Sequence, residues 1–341
     1  MKLSALYWHR FTPLHIILWP ISLCYELFLT IQKFCYWLDI FQTVKLPVSV
    51  ISVDSISVEN SGKTSLILWL VDSLIKNGYT PGIVTRGNLI TGTPIEATHL
   101  VENMDGNTRL FVHRFGADCP VWMGNDRIKT AQALLQANPK CNILIFNDAL
   151  QFHRLERDIE ITLVDFSEES YGNGLLLPAG PLRANPRKLS ENTLIIASDE
   201  KNFSLITQHW HKRYPFKSVT EIAYNLLKPE DRQPLSHFKN TRVHMITDAD
   251  DEEWMFVAAQ KAELSSDTAF HSFSENHRFV SKDIDFPQGD IVVLSEKNAL
   301  QCLNFASEAL WAIPQEVWVD NQLEDAILKQ LSSKPEILPS A

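Results

Sequence analysis

The stretch that decides the fold runs V-S-V-I-S-V-D-S-I-S-V-E-N-S-G-K-T-S-L-I-L-W-L over residues 48–70. A β-branched run over 48–53 predicts a buried strand. A polar loop follows, then Gly62-Lys63-Thr64, then apolar residues at helical spacing (Leu66, Ile67, Leu70, Val71, Leu74) until Gly78. Strand, loop, Gly-Lys-Thr and helix make up a phosphate-binding loop. The physical basis is the convergence of loop and helix N–H groups on phosphate oxygens. On that reading Ser57, Val58, Glu59, Asn60, Ser61, Gly62, Lys63 and Thr64 cradle a nucleotide. Lys63 reaches the outer phosphates, and the Thr64 hydroxyl faces Mg²⁺. Ser57, Glu59 and Asn60 stand where such loops carry other residues, glycine above all.

Working outward, 81–87 predicts a second strand that ends on Arg86, and 142–146, 159–164 and 193–197 predict further strands. Helical spacing lies between them, as at 127–136. Alternation of this kind predicts a parallel sheet flanked by helices, with ligands beyond the carboxyl ends of the strands. The strand I-L-I-F over 143–146 delivers Asn147-Asp148 at such an end, and places Asp148 as a candidate Mg²⁺ carboxylate. His209 and His211 are two apart with no further ligand cluster, and read as surface residues.

The chain has 341 residues, 45% of them hydrophobic, which suits about two domains. A formal charge of −10 argues against nucleic acid as a partner. Five scattered cysteines without C-x-x-C spacing read as free thiols. Residues 14–41 are apolar and aromatic but interrupted by Pro20, Glu26 and Lys33, which suits a helix lying in a membrane interface better than a clean span.

The run Tyr171-Gly172-Asn173-Gly174-Leu175-Leu176-Leu177-Pro178-Ala179-Gly180-Pro181-Leu182-Arg183 resembles the F/Y-G-N-G-x-L-L-P-A-G-P-L-R signature of the tetraacyldisaccharide 4′-kinases, the lipid A 4′-kinases of Gram-negative bacteria. Further matches are W-P-I-S-L-C-Y over 19–25, T-R-G over 85–87 and G-A-D-C-P-V-W-M-G-N-D-R over 116–127. L-Q at 150–151, R-L-E-R-D-I over 154–159 and S-E-K-N-A over 295–299 complete the resemblance.

The resemblance implies transfer of the ATP γ-phosphoryl group to the 4′-hydroxyl of a tetraacylated disaccharide 1-phosphate. It implies a P-loop α/β domain, a smaller C-terminal α/β domain and an N-terminal membrane-contacting helix, read here as 46–185, 186–330 and 1–45, with a tail over 331–341. Lys63 and Thr64 carry over to nucleotide and Mg²⁺, Asp148 to the metal, and Arg86, Asn173 and Arg183 to the substrate. Asp105 and His277 carry over as catalytic candidates, each beside or within an altered family motif. The implied setting is a monomer on the cytoplasmic face of the bacterial inner membrane, acting on the lipid A disaccharide precursor. The alternative is a membrane-associated relative that keeps the disaccharide surface with impaired turnover. In the C-terminal part, strands are predicted at 243–246, 291–294 and 316–319, and helices at 252–262 and 299–312.

Overall fold

A computed structural model describes residues 5–8, 11–58, 62–87, 92–98, 104–165, 171–186, 189, 193–197, 213–249, 251–274 and 277–333. The fold is α/β, with two compact units. The first comprises residues 1–96, 117–217 and 319–341, and the second 97–116 and 218–318.

The larger sheet has nine strands in the order β15-β8-β7-β6-β1-β5-β2-β4-β3, seven of them (β1 to β7) wholly within the first unit. In chain order these are β1 (Ser49–Ser55), β2 (Pro81–Arg86), β3 (Ile95–Glu96), β4 (Val121–Gly124), β5 (Ile143–Asn147), β6 (Ile159–Val164), β7 (Leu194–Ala197), β8 (Arg213–Val219) and β15 (Glu316–Val319). From β8 to β4 the neighbouring strands pair parallel, and β3 closes the edge antiparallel. β1 lies at the centre, and every residue from Val50 to Ser55 is buried. Burial on both sides explains why its sequence is a run of β-branched residues rather than an alternation. The sheet continues beyond residue 185 through β7 and β8, so the first unit is larger than the 46–185 span.

Helix α1 (Ala5–Trp8) and helix α2 (His15–Trp37) precede the sheet. α3 (Lys63–Lys76) buries Leu66, Ile67, Leu70, Val71 and Leu74 on the spacing expected of it. Each such side chain contributes about 1.5–3 kcal/mol of transfer free energy, so the helix start is pinned by its apolar face. Later in the chain come α4 (Gly106–Phe115), capped by Asp105, and α5 (Arg127–Ala137), capped by Asp126. α8 (Asn321–Ser332) ends the described chain, so helix persists two residues into the expected tail.

The second unit holds a sheet of six strands in the order β10-β9-β14-β13-β11-β12. These are β9 (Ile222–Asn225), β10 (Arg232–Pro234), β11 (Val243–Asp248), β12 (Ala269–Phe273), β13 (Ile291–Ser295) and β14 (Leu310–Ile313). α6 (Glu252–Lys261) follows β11, and the single turn α7 (Glu296–Ala299) follows β13. The helix expected over 299–312 is absent. α7 stops at Ala299, and Leu310-Trp311-Ala312-Ile313 form a parallel strand beside β13, all four buried. A continuous apolar run of four fits a strand buried on both sides, and here sheet pairing overrode the helical reading.

Candidate functional site

β1 ends in a turn whose route is fixed by a distant segment. Ser57 bridges to Leu182, the Val58 N–H donates to the Pro181 carbonyl at 3.0 Å, and the Arg183 N–H donates to the Ile56 carbonyl. Glu59, Asn60 and Ser61 lie outside the described residues. The loop closes at Gly62, with φ of +76°, in the left-handed region where glycine carries no Cβ penalty. α3 begins at the next residue, so Lys63 and Thr64 occupy its first turn, where N–H groups have no intrahelical acceptor.

Lys63 lies in an ion cluster at the carboxyl ends of β1 and β5. Its Nζ donates to Asp148 Oδ1, and Arg183 Nη1 donates to the same oxygen at 3.1 Å. Arg127 Nη1 donates to the Asp148 carbonyl. Burial works to raise the Asp148 pKa, but Lys63, Arg183 and Arg127 outweigh it and hold the carboxylate below its usual range. The side chains stay partly open, at 18% for Lys63, 30% for Arg183 and 37% for Asp148. A carboxylate shared by two accessible cations can release one of them to a phosphate.

Two contributors escaped the sequence reading. Arg127 lies within the G-N-D-R match; burial lowers its pKa against the pull of Asp148 and Asp54. Asp54 sits at the end of β1, 2% exposed, and its Oδ1 accepts from the Leu150 N–H at 2.6 Å. Burial pushes its pKa up to about 6, opposed by the Leu150 N–H, assisted by Asp148, and opposed again by Arg157 and Lys63. The available signal was a charged residue inside an apolar strand.

The Tyr171–Arg183 run folds as a compact loop that receives α1 and α2. Asn173 donates from Nδ2 to the Ala179 carbonyl at 2.8 Å and to the His15 ring at 3.0 Å. Its Oδ1 accepts from the Leu175 N–H at 3.0 Å. Its amide thus holds the loop and α2 together. Ser22, buried on α2, donates to the Leu176 carbonyl at 2.8 Å and accepts from the Ala179 N–H at 3.0 Å. Tyr25 donates to the Arg183 carbonyl, and Asn185 donates to Glu26 at 2.9 Å. The i, i+3, i+4 spacing of Ser22, Tyr25 and Glu26 puts one face of α2 on this loop. Ile16, Ile17, Trp19, Leu27, Phe28 and Trp37 are exposed.

Arg86 is exposed at the carboxyl end of β2, and its charge acts on Arg127. Asp105 and His277 belong to the second unit. Asp105 caps α4 and accepts from the Thr108 N–H at 3.0 Å and the Thr108 hydroxyl at 2.6 Å. His277 Nε2 lies 2.9 Å from Asp283 Oδ2, which also accepts from the Val280 N–H. Hydrogen bonds from His277 first, then Val280, lower the Asp283 pKa. An imidazole oriented by a carboxylate is suited to accepting a proton at its other nitrogen. Among the described residues no group of three or more His, Cys, Asp and Glu could hold a metal. His209 and His211 lie outside the described residues.

The model of the family "Tetraacyldisaccharide-1-P 4′-kinase" matches residues 14–332. The tetraacyldisaccharide 4′-kinase of Nitrosomonas eutropha is 36% identical over 338 residues, covering 98% of this chain and 85% of the relative. That of Methylobacillus flagellatus is 31% identical over 328 residues, covering 95% and 94%. Among solved structures, the "apo" form of LpxK from Aquifex aeolicus in complex with ATP superposes with a TM-score of 0.71 at 20% identity, over 92% of this chain and 98% of that one. At that identity the likeness establishes the shared fold.

Proposed function

The chain belongs to the tetraacyldisaccharide-1-P 4′-kinase family, and on that premise we propose how its residues divide the reaction. It is a kinase that transfers the γ-phosphoryl group of ATP to the 4′-hydroxyl of the tetraacyldisaccharide 1-phosphate precursor of lipid A. One observation carries the assignment of roles: Lys63, at the start of α3, shares Asp148 with Arg183 in a partly open cluster. Phosphoryl transfer depends on positioning and charge neutralisation more than on covalent chemistry by the protein. Lys63 exchanges Asp148 for a phosphate oxygen, and Arg183 keeps the carboxylate paired while it does so. That standing partner supports turnover over the impaired alternative.

Thr64 and Asp148 present a hydroxyl and a carboxylate, a hard-oxygen donor set that fits Mg²⁺. They would hold the ion, which when bound neutralises charge on the outer phosphates. Ser57 to Gly62 form the phosphate loop, and Arg86 meets substrate anions. His277, oriented by Asp283, takes the proton from the 4′-hydroxyl, and Asp105 fixes the first turn of α4. α2 lies in the cytoplasmic face of the inner membrane, its outer face in the acyl boundary and the protein a monomer. The support is an apolar helix of 23 residues that exposes Ile16, Ile17, Trp19, Leu27, Phe28 and Trp37 and meets the protein through Ser22, Tyr25 and Glu26.

The test is transfer of labelled phosphate from Mg-ATP to tetraacyldisaccharide 1-phosphate by the full chain in detergent. Labelled product is expected, and Lys63→Ala should lower kcat by about 10²–10³-fold, the loss usual for a group aimed at developing charge. Absence of product from well-folded protein defeats the proposal.

A further inference from the structure

Asp148 is held in a backbone conformation that most side chains avoid. Its φ is +63°, left-handed for a residue that is not glycine. Such a backbone persists when its surroundings fix it from several directions. Here the Asp148 N–H donates to the Val53 carbonyl of β1 at 3.1 Å, and the Asp148 carbonyl accepts from Arg127. The next carbonyl, of Ala149, accepts from Arg157 Nη1 at 3.0 Å and from the Phe152 N–H at 2.8 Å. The N–H that follows, of Leu150, is taken by the Asp54 carboxylate at 2.6 Å. β1 therefore grips the turn twice, through the Val53 carbonyl and the Asp54 side chain.

A carboxyl at 2% exposure within a central strand is unfavourable unless its hydrogen bonds offset the burial. A valine or isoleucine would suit the strand better, as at Val50, Ile51 and Val53. What the carboxyl supplies and an apolar residue cannot is an acceptor for Leu150, two residues after Asp148. We propose that Asp54 is a positioning residue: by accepting from the Leu150 N–H it locks the turn that aims the Asp148 carboxylate at Lys63 and Arg183. This rests on the reading of Lys63 and Asp148 as the phosphate and metal groups. It assigns Asp54 no contact with substrate.

The experiment compares the full chain with Asp54→Asn, which keeps an oxygen acceptor in the same place, and Asp54→Leu, which removes it. Asp54→Leu should lower kcat by about 10–100-fold, the range for groups that orient metal-site ligands, with KM for the disaccharide unchanged. Asp54→Asn should recover most of that loss. Deuterium exchange of the peptide spanning residues 148–152 should rise in Asp54→Leu alone, while peptides from β6 and α3 stay protected. Asp54→Ala, which also lacks an acceptor, replaces the leucine variant if the latter does not fold.

Wild-type kcat in Asp54→Leu, or an asparagine variant as impaired as the leucine one, overturns the proposal. Were wild type to transfer no phosphate, the kinase assignment would fall separately. The positioning role would then be read from the exchange data and from Mg-ADP affinity, where Asp54→Leu should match Asp148→Ala. Unchanged exchange at 148–152 overturns it whatever the activity.

Discussion

Two lysines of this chain lie among carboxylates at the carboxyl ends of parallel strands, and they are not equally accessible. Lys63, after β1, shares Asp148 with Arg183, and the three side chains are 18–37% exposed. Lys297, after β13, lies 3.1 Å from Asp248 and 3.2 Å from Asp251, with all three at 9% or less. Asn298 donates to both aspartates at 3.2 and 3.3 Å, and the Ser295 hydroxyl donates to Asp251. Trp254 closes the shell with a 3.0 Å bond to Asp251. Chemistry of one kind thus serves two ends. Where water and a ligand can reach the ammonium, its partner is exchangeable. Where they cannot, the pair ties β11, α6 and α7 together and nothing is free to leave.

The largest effect that follows is on stability. Lys297→Met leaves Asp248 and Asp251 facing each other out of water, and burial already raises the Asp251 pKa against the pull of Lys297. Breaking a buried pair on one side costs about 3–5 kcal/mol. Lys63→Met should cost below about 1 kcal/mol, because its pair is partly solvated and Asp148 keeps Arg183. Urea unfolding followed by tryptophan fluorescence reads both variants. Equal losses would erase the distinction.

The half of the comparison that includes Lys63 was legible in the sequence, because its parts are local. A β-branched run, a Gly-Lys-Thr and an apolar period specify β1, the loop and α3 within 23 residues, and a second apolar strand delivers Asp148. The Lys297 half, within S-E-K-N-A over 295–299, has no local pattern that places it. Its partners are 46 and 49 residues upstream, and four consecutive buried residues that include Glu296, Lys297 and Asn298 defy any surface period. The same cause explains 299–312, whose strand β14 is set by pairing with β13 on one side and β9 on the other. Asp54 was passed over because its partner, Leu150, is 96 residues away. Asn173 carries over to substrate from the resemblance alone; its partners in the fold, His15 of α2 and the carbonyl and N–H of Ala179 and Leu175, are set by tertiary contacts that no local pattern encodes.

The next effect, smaller, concerns pH and isolates the Lys63 half. The Asp54 pKa in the fold is about 6 against 3.8 for the free group. Between these values the folded chain binds a proton that the unfolded chain does not. Stability from this group is therefore highest below the lower value, falls as pH rises through the window, and is constant above about 6. Asp148 is shifted the other way, so its contribution is present above 3.8 and lost as pH falls below that. Asp251 shares the sign of Asp54, which makes the difference between wild type and Asp54→Asn the proper measure. That variant should gain up to about 3 kcal/mol near pH 8, with the gain vanishing near pH 4. A constant difference across the range would mean that burial of the Asp54 charge is not what its site costs.

The smallest effect sharpens why the Lys63 site can stay open at all. Its loop closes on Gly62 under the ring of Phe216 from β8, and a Cβ there would stand 2.6 Å from Phe216 Cζ. Gly62→Ala therefore meets both a left-handed backbone, worth about 1–2 kcal/mol for a residue with a side chain, and a ring that must shift. The two causes separate in a double-mutant cycle with Phe216→Leu. The ring contact should be relieved in the double variant and the backbone strain should remain, so about 1 kcal/mol of the loss persists there. Nucleotide affinity, read by titration with Mg-ADP, should follow the backbone share, because α3 would start from a distorted turn while Lys63 itself is untouched. Full recovery in the double variant would assign the glycine to the space under Phe216. Recovery of stability without recovery of affinity would place its value in the turn that presents Lys63, the feature that the closed Lys297 cluster has no counterpart for.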